Sequence, residues 1–246
     1  MTDRPRRLFA PQLPPLGGEL VLPEDSAHHA RVLRLASGDR VELFDGRLGQ
    51  AGAVISELTR ARVTCRTEPR IELAPRVPAL HVVLGLPKGG KLEDIARMLC
   101  ELGVAGLHLA LCERSVPRPR DLSARLARLR RVVLEACAQS GQPFAPSVEA
   151  PRPLLEIAAT VPDPACRLVF WERASGTLDA ALERQATPAT QVWAVVGPEG
   201  GLAQQEVEAL GARGFAVVGL GGAVLRVETA APVIAALLLD RFDLLR

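Results

Sequence analysis

Two stretches near the carboxyl end gather residue types that could do chemistry: Gly197-Pro198-Glu199-Gly200-Gly201, and the run from Gly219 to Thr229 (GLGGAVLRVET). Each follows an apolar run (Gln191–Val196, then Phe215–Val218) and precedes a helical pattern (Ala203–Ala212, then Val227 to about Leu239). Glycine permits positive φ and close backbone approach. Two such loops at the ends of successive strands are where an open α/β sheet holds a small ligand. Glu199 and Glu228 lie inside these loops, with Arg226 two positions before Glu228. Charges beside bare backbone suit a cationic cofactor or a reacting base; the plainer alternative is that Glu228 only favours a helix start through the dipole.

A third candidate is Gly85-Leu86-Pro87-Lys88-Gly89-Gly90-Lys91, which fits GxxxxGK between a strand and a helix. Leu92 stands where a nucleotide-binding loop needs a magnesium-coordinating hydroxyl, and no strand ends in an obvious partner aspartate, so nucleotide hydrolysis is disfavoured. Lys88 and Lys91 are the only lysines in the chain and suit phosphate contacts as point charges. Gly219-Leu220-Gly221 is a near miss to the dinucleotide fingerprint, but it lacks the early βαβ position that the fingerprint needs. His28-His29 invites a metal reading, yet adjacent helical residues point in different directions and cannot chelate together. Arg31 and Arg34 on the same segment suit RNA contact instead.

The elements that must position these residues fall into two patterns. From Glu19 to Arg66 the chain shows a short strand (19–22), a helix Glu24–Leu35 and three β runs, Asp39–Phe44, Gln50–Leu58 and Ala61–Arg66, with alternating Val41, Leu43, Val54 and Val63. Glu68–Ala79 holds three prolines and has the composition of a linker. From Leu80 strands and helices alternate. The strands are His81–Leu86, Leu107–Cys112, Arg167–Trp171, Val192–Val196 and Phe215–Val218. The helices are Lys91–Leu102, Leu122–Ser140, Pro153–Ala159, Thr177–Arg184, Ala203–Ala212 and Val227–Leu239. Such alternation predicts a parallel sheet covered on both faces, preceded by a small, mostly β module. The boundary falls near residue 74, giving units 1–74 and 75–246. The apolar helix around Val233–Leu239 suits a core or a subunit seam.

Composition narrows the classes. No apolar run reaches the length of a membrane span, and the first twenty residues carry arginines without an apolar signal segment. Five cysteines, none in a CxxC pair, suit reduced thiols in a cytoplasmic protein and offer no zinc set. Net charge is only +2, but seven arginines fall between Arg114 and Arg131 against a single aspartate, while the chain after Asp163 turns acidic. That asymmetry predicts one polyanion-facing surface. With 28 arginines, no tyrosine and few other aromatics, an aromatic base-stacking platform is disfavoured.

GPEGG at 197–201 with Glu206, and LGGAVLRVETA at 220–230, closely resemble the RsmE family of ribosomal RNA uridine methyltransferases in the SPOUT superfamily. Nearly the whole chain shares the resemblance. His29-Ala30-Arg31-Val32-Leu33-Arg34, Gly38-Asp39 and Leu43-Phe44-Asp45-Gly46 are similar to that family's PUA-like module, and Lys91, Glu101–Val104, Glu113–Val116 and Glu135–Gly141 to its catalytic domain. The resemblance implies a SPOUT-type α/β knot, with a parallel sheet and a C-terminal trefoil knot, after a PUA-like β-barrel. It also implies an S-adenosylmethionine site, a homodimer, no metal or membrane, and methylation of uracil N3 in 16S rRNA of the 30S subunit. The implied cofactor contacts are Phe170, Gly197, Glu199, Gly200, Leu220, Gly221 and Leu225.

Uracil N3 must lose a proton to attack a methyl group, which places charge on O2 and O4. Arg226 is expected to stabilise that charge, with Glu199 or Glu228 accepting the proton or holding Arg226. Arg7, Arg31, Arg34, Lys88, Lys91 and Arg114 are expected to contact RNA phosphates. The chain departs from the family pattern at Ala223 and Gln142 (arginine), Val227 (threonine) and Ala203 (a serine-like cap), while keeping Arg226, Glu228 and Thr229. A non-catalytic RNA-binding or ribosome assembly factor on the same fold is the alternative.

Overall fold

The computed structural model describes residues 5–115, 122–184 and 189–245. The chain forms two units, one made of the segment up to Pro75 together with Leu134–Ala145, the other of Arg76–Val133 and Pro146 onwards.

The first unit contains β1 (Arg6–Phe9), β2 (Glu19–Val21), α1 (Glu24–Val32), β3 (Arg40–Phe44), β4 (Gly49–Leu58) and β5 (Val63–Glu72). The strands form one mixed sheet in the order β1-β3-β4-β5-β2; β1 runs parallel to β3 and the other pairs are antiparallel. Leu8, Leu43, Ile55, Val63 and Cys65 are buried together with Ala27 and Ala30 of α1. Two expectations are corrected. β1 was not anticipated, and β5 runs on into the stretch expected to be a linker: Arg70, Ile71 and Glu72 pair with Ala51, Gln50 and Gly49. Pro69 is tolerated because the register shifts there, opposite Gly52, where no ladder N–H is required.

The second unit contains β6 (Ala79–Gly85), α2 (Lys91–Leu102), β7 (Gly106–Leu111), α3 (Leu122–Ser140, whose last turns belong to the first unit), β8 (Ser147–Val148) and β9 (Arg152–Pro153). It continues through α4 (Leu154–Ala158), β10 (Ala165–Phe170), α5 (Leu178–Arg184), β11 (Gln191–Val196), α6 (Gln204–Gly211), β12 (Ala216–Val218) and α7 (Val227–Arg241). The sheet is parallel, ordered β12-β10-β11-β6-β7-β8, with β9 also on β7. Its strands are apolar on both faces because both are covered. Trp193 and Val195 pack toward α4 and α6 with Leu154, Val207 and Leu210, whereas α2 and α7 pack on each other, with α7 also against β6 and β11.

β10 lies between β11 and β12 although it precedes both, so the connections after β10 and β12 meet at the carboxyl ends of the strands. There Trp171 N–H donates to Val218 O and Gly219 N–H to Gly176 O. A Cβ on Gly176 would lie 2.6 Å from Val217 O, so the crossing admits no side chain. Among the described residues no helix is long and apolar enough to cross a membrane.

Candidate cofactor and base pocket

At the carboxyl ends of β10 and β11 lies a cavity of about 310 Å³, within the range of small-molecule sites. Its walls come from three strand-end loops: Phe170 to Glu172, Val196 to Leu202, and Leu220 to Val227, with Ala230 and Ile234 of α7 behind. Phe170, Gly197, Glu199, Gly200, Leu220, Gly221, Leu225 and Arg226, named from the sequence, all line it. Glu228 stands beside the lining in the first turn of α7. Trp171 and Glu172 were not anticipated; the signal available for them was their place immediately after a strand.

Close packing explains the glycines. A Cβ on Gly197 would lie 3.0 Å from Leu202 Cγ and 3.1 Å from Leu202 N. One on Gly85 would sit 2.5 Å from both N and Cδ of Pro198, so the start of the β6–α2 loop fits directly under the first glycine loop. Gly221 adopts φ +107°, which side chains rarely tolerate.

The charges converge on the same place. Glu199 accepts the Lys88 backbone N–H with both carboxylate oxygens, at 3.1 and 3.2 Å. The Lys91 ammonium lies 3.0 Å from Glu228 Oε2 and 3.5 Å from Glu199 Oε1. Arg226, the N-cap of α7, keeps its side chain exposed, 4.0 Å from Glu228 Oε1. Glu228's own backbone N–H, followed by the Lys91 ammonium, holds its carboxyl below the usual carboxylate range. The anion held by this phosphate-loop-like turn is therefore the protein's own Glu199, which removes the physical basis for nucleotide binding there.

The expected RNA-contact residues part company. Arg7 is corrected: it is buried, its guanidinium 4.6 Å over the Phe44 ring, donating to Glu42 Oε1 and to the Cys137 and Gln142 carbonyls within the first unit. It has no free face for a phosphate. Arg31 donates to Thr59 O and Arg34 is exposed in a left-handed conformation. In the second unit Lys88 is exposed, Arg114 donates to Gly200 O, and Lys91 is already paired with two carboxylates. Arg118 and Arg120 lie outside the described residues.

Ala203 lacks a capping oxygen, but Glu206 supplies the reverse half of a cap. Its Oε2 accepts the Ala203 N–H and its Oε1 accepts the Glu113 N–H. Among the described residues no group of three or more His, Cys, Asp or Glu could hold a metal ion.

The sequence model of a family described as an RNA methyltransferase domain matches residues 75–239, and one described as an RNA methyltransferase PUA domain matches residues 22–68. A protein named ribosomal RNA small subunit methyltransferase E in Mycobacterium tuberculosis is 31% identical over 233 residues, 92% of this chain and 87% of that protein. The chain belongs to the RsmE family. A Synechocystis member of the same name is 33% identical over 206 residues, 82% of this chain and 66% of the relative, just under two thirds of its length. Among solved structures, the RsmE of Neisseria gonorrhoeae bound to S-adenosyl methionine superposes with a TM-score of 0.87 at 26% identity, covering 97% of this chain and 98% of that one. A Legionella pneumophila structure in complex with the same cofactor has the same TM-score, identity and coverage.

Proposed function

We propose that this chain is an S-adenosylmethionine-dependent methyltransferase acting on N3 of a uridine in 16S rRNA of the 30S subunit. The observation that carries the reading is the cavity itself: two glycine loops with open backbone, apolar walls and converging carboxylates, on a chain whose family members bear that name. The lining suits the cofactor. Phe170, Leu220 and Leu225 offer apolar walls to an adenine ring. The backbone of Gly197, Gly200 and Gly221 borders the cavity, and Glu172 and Glu199 set negative charge beside a sulfonium or ammonium group. When bound, S-adenosylmethionine supplies an electrophilic methyl carbon.

Glu199 borders the cavity and takes the N3 proton, leaving the N3 electron pair to form the new bond. Arg226 stabilises the charge spread over O2 and O4. Glu228, held ionised, orients Arg226 rather than accepting a proton. RNA phosphates are met by Arg31 and Arg34 of the 1–74 module and by Lys88 and Arg114 of the 75–246 domain. The exposed apolar side chains Val224, Leu225, Val233 and Leu237 favour a homodimer that covers them. The crossing of the connections after β10 and β12 is what a trefoil knot requires. A cytoplasmic location follows from the substrate.

Calorimetry with S-adenosylmethionine, joined to transfer of a labelled methyl group to 30S subunits and mass spectrometry for 3-methyluridine, tests this. Arg226→Ala should keep cofactor affinity and lower the transfer rate by about a hundredfold or more. A wild-type chain that takes up no cofactor, as a pure RNA binder would, sinks the reading; full transfer by Arg226→Ala sinks the role of Arg226.

A further inference from the structure

A lysine at the first position of a helix is locally unfavourable, because the positive end of the helix dipole and its four orphan N–H groups already lie there. Lys91 opens α2 nonetheless. Local choices that run against propensity point to a site where other contacts compensate. Here the compensation comes from two carboxylates far apart in the chain: Glu199, in the connection after β11, and Glu228, in the first turn of α7. Lys91 and Glu228 are 137 residues apart in the chain.

The ammonium therefore stands where three strand-end connections meet. Lys88, three residues before it, donates its backbone N–H to Glu199 as well. On the outer side of the same loop, Arg125 donates to Gly89 O at 2.8 Å. Without the ammonium, Glu199 and Glu228 would be like charges facing a shared gap, and their loops would lose the group that draws them together. Arg226 is poorly placed to replace it: its side chain is 83% exposed and, among the described residues, pairs with Glu228 alone, at 4.0 Å.

We propose that Lys91 is a positioning residue for methyl transfer, its ammonium clamping Glu199 and Glu228 so that the cavity wall and the groups facing the uracil keep one arrangement. The inference rests on the reading of this cavity as a methyltransferase site. It replaces the expectation that Lys91 contacts an RNA phosphate, and the two roles have opposite kinetic signatures.

The test compares wild type with Lys91→Met, Lys91→Arg, Glu228→Gln and the Lys91→Met/Glu228→Gln pair, in steady-state methylation of 30S subunits across a salt series. The clamp predicts that Lys91→Met lowers kcat by about tenfold to a hundredfold, with KM for the subunit and its salt slope unchanged. Lys91→Arg should recover part of the loss, and the double variant should lose less than the two single losses combined, because both remove the Lys91–Glu228 contact. Hydrogen exchange gives a readout independent of turnover: the Lys88 amide should exchange faster in Lys91→Met. An unchanged kcat with raised KM and a salt slope reduced by about one, additive losses in the double variant, or an unchanged Lys88 amide would each overturn the clamp. If wild type itself methylates nothing, the functional reading has failed, and the Lys88 amide still decides whether Lys91 clamps the loops.

Discussion

The two ends of the parallel sheet carry equally reactive residue types and use them in opposite ways. Toward the amino ends, His81 of β6 stacks on Trp193 of β11 with ring centroids 4.4 Å apart and planes 7° from parallel, and His108 of β7 closes the group at 4.6 Å from the same indole. One imidazole donates to the other across 3.1 Å, and the Trp193 indole N–H donates to Gln191. Gly106 leaves the room for His81. At the carboxyl ends, Glu199 and Arg226 line a cavity walled by glycine loops, and Lys91 and Glu228 pair beside it. The first cluster pairs its ring nitrogens with one another and with Gln191; the second is organised around a cavity. What distinguishes a site here is the cavity beside the charges, not the presence of titratable groups.

Filling the contact that shapes that space should have the largest effect. In Gly85→Ala the new Cβ would meet the Pro198 ring at 2.5 Å, and both partners are fixed by backbone. The first glycine loop must move away, and cofactor affinity should fall by about a hundredfold or more in calorimetry, since misplacement by about 1 Å carries penalties of that size. Circular dichroism should remain that of a folded chain. If affinity survives, the contact between the β6–α2 loop and the glycine loop does not shape the cavity, and the contrast between the two ends loses its main support.

How far this contrast was legible in the sequence differs between its parts. Strands of a covered parallel sheet are near-continuous apolar runs, so strands expected at His81–Leu86 and Val192–Val196 were found at Ala79–Gly85 and Gln191–Val196, and α2 and α3 were bounded correctly at Lys91–Leu102 and Leu122–Ser140. The glycine loops stood out because their composition is their conformation. β1 did not, because four residues containing two arginines look like a charged terminus until β3 pairs with them. Nor did the seat of Arg7, which is built from Cys137 and Gln142 more than a hundred residues away. The ammonium between Glu199 and Glu228 was illegible for the same reason: residue type is local, whereas charge pairing belongs to the fold. The histidine cluster left no trace at all, since His81, His108 and Trp193 each look like a residue of an apolar strand.

A smaller effect tests whether the carboxyl-end loops are held by satisfied backbone as well as by charge. Glu206 is buried and accepts one N–H from each of two loops, at Ala203 and at Glu113. Glu206→Ala leaves both donors unpaired, at a cost of about 1–3 kcal/mol, which thermal unfolding should register as a fall of roughly 3–10 °C in Tm. Because Arg114 adjoins Glu113 and donates to Gly200, a modest loss of cofactor affinity should accompany it. Glu206→Gln keeps one acceptor oxygen and should show about half the loss. Equal Tm values for all three chains would mean the loops do not depend on this carboxylate.

The smallest effect lies at the amino end, where it should touch stability and leave function alone. His81 is pushed down to about 4 by burial and then by His108, and His108 to about 4 by burial and then by Arg152. Both folded values lie below the ordinary histidine value of about 6.5. Between the two, the unfolded chain binds more protons than the folded one, so stability rises with pH across that window. It is fully present above about pH 6.5 and is lost as pH falls toward 4. Since the rings are partly exposed, the two together should account for roughly 1–3 kcal/mol. His81→Gln should flatten this part of the profile by about half in denaturant unfolding, while methyl transfer and cofactor affinity above pH 7 stay within about twofold. Loss of transfer by a folded His81→Gln chain would mean that the amino end, self-satisfied as it is, is coupled to the chemistry at the other end of the same strands.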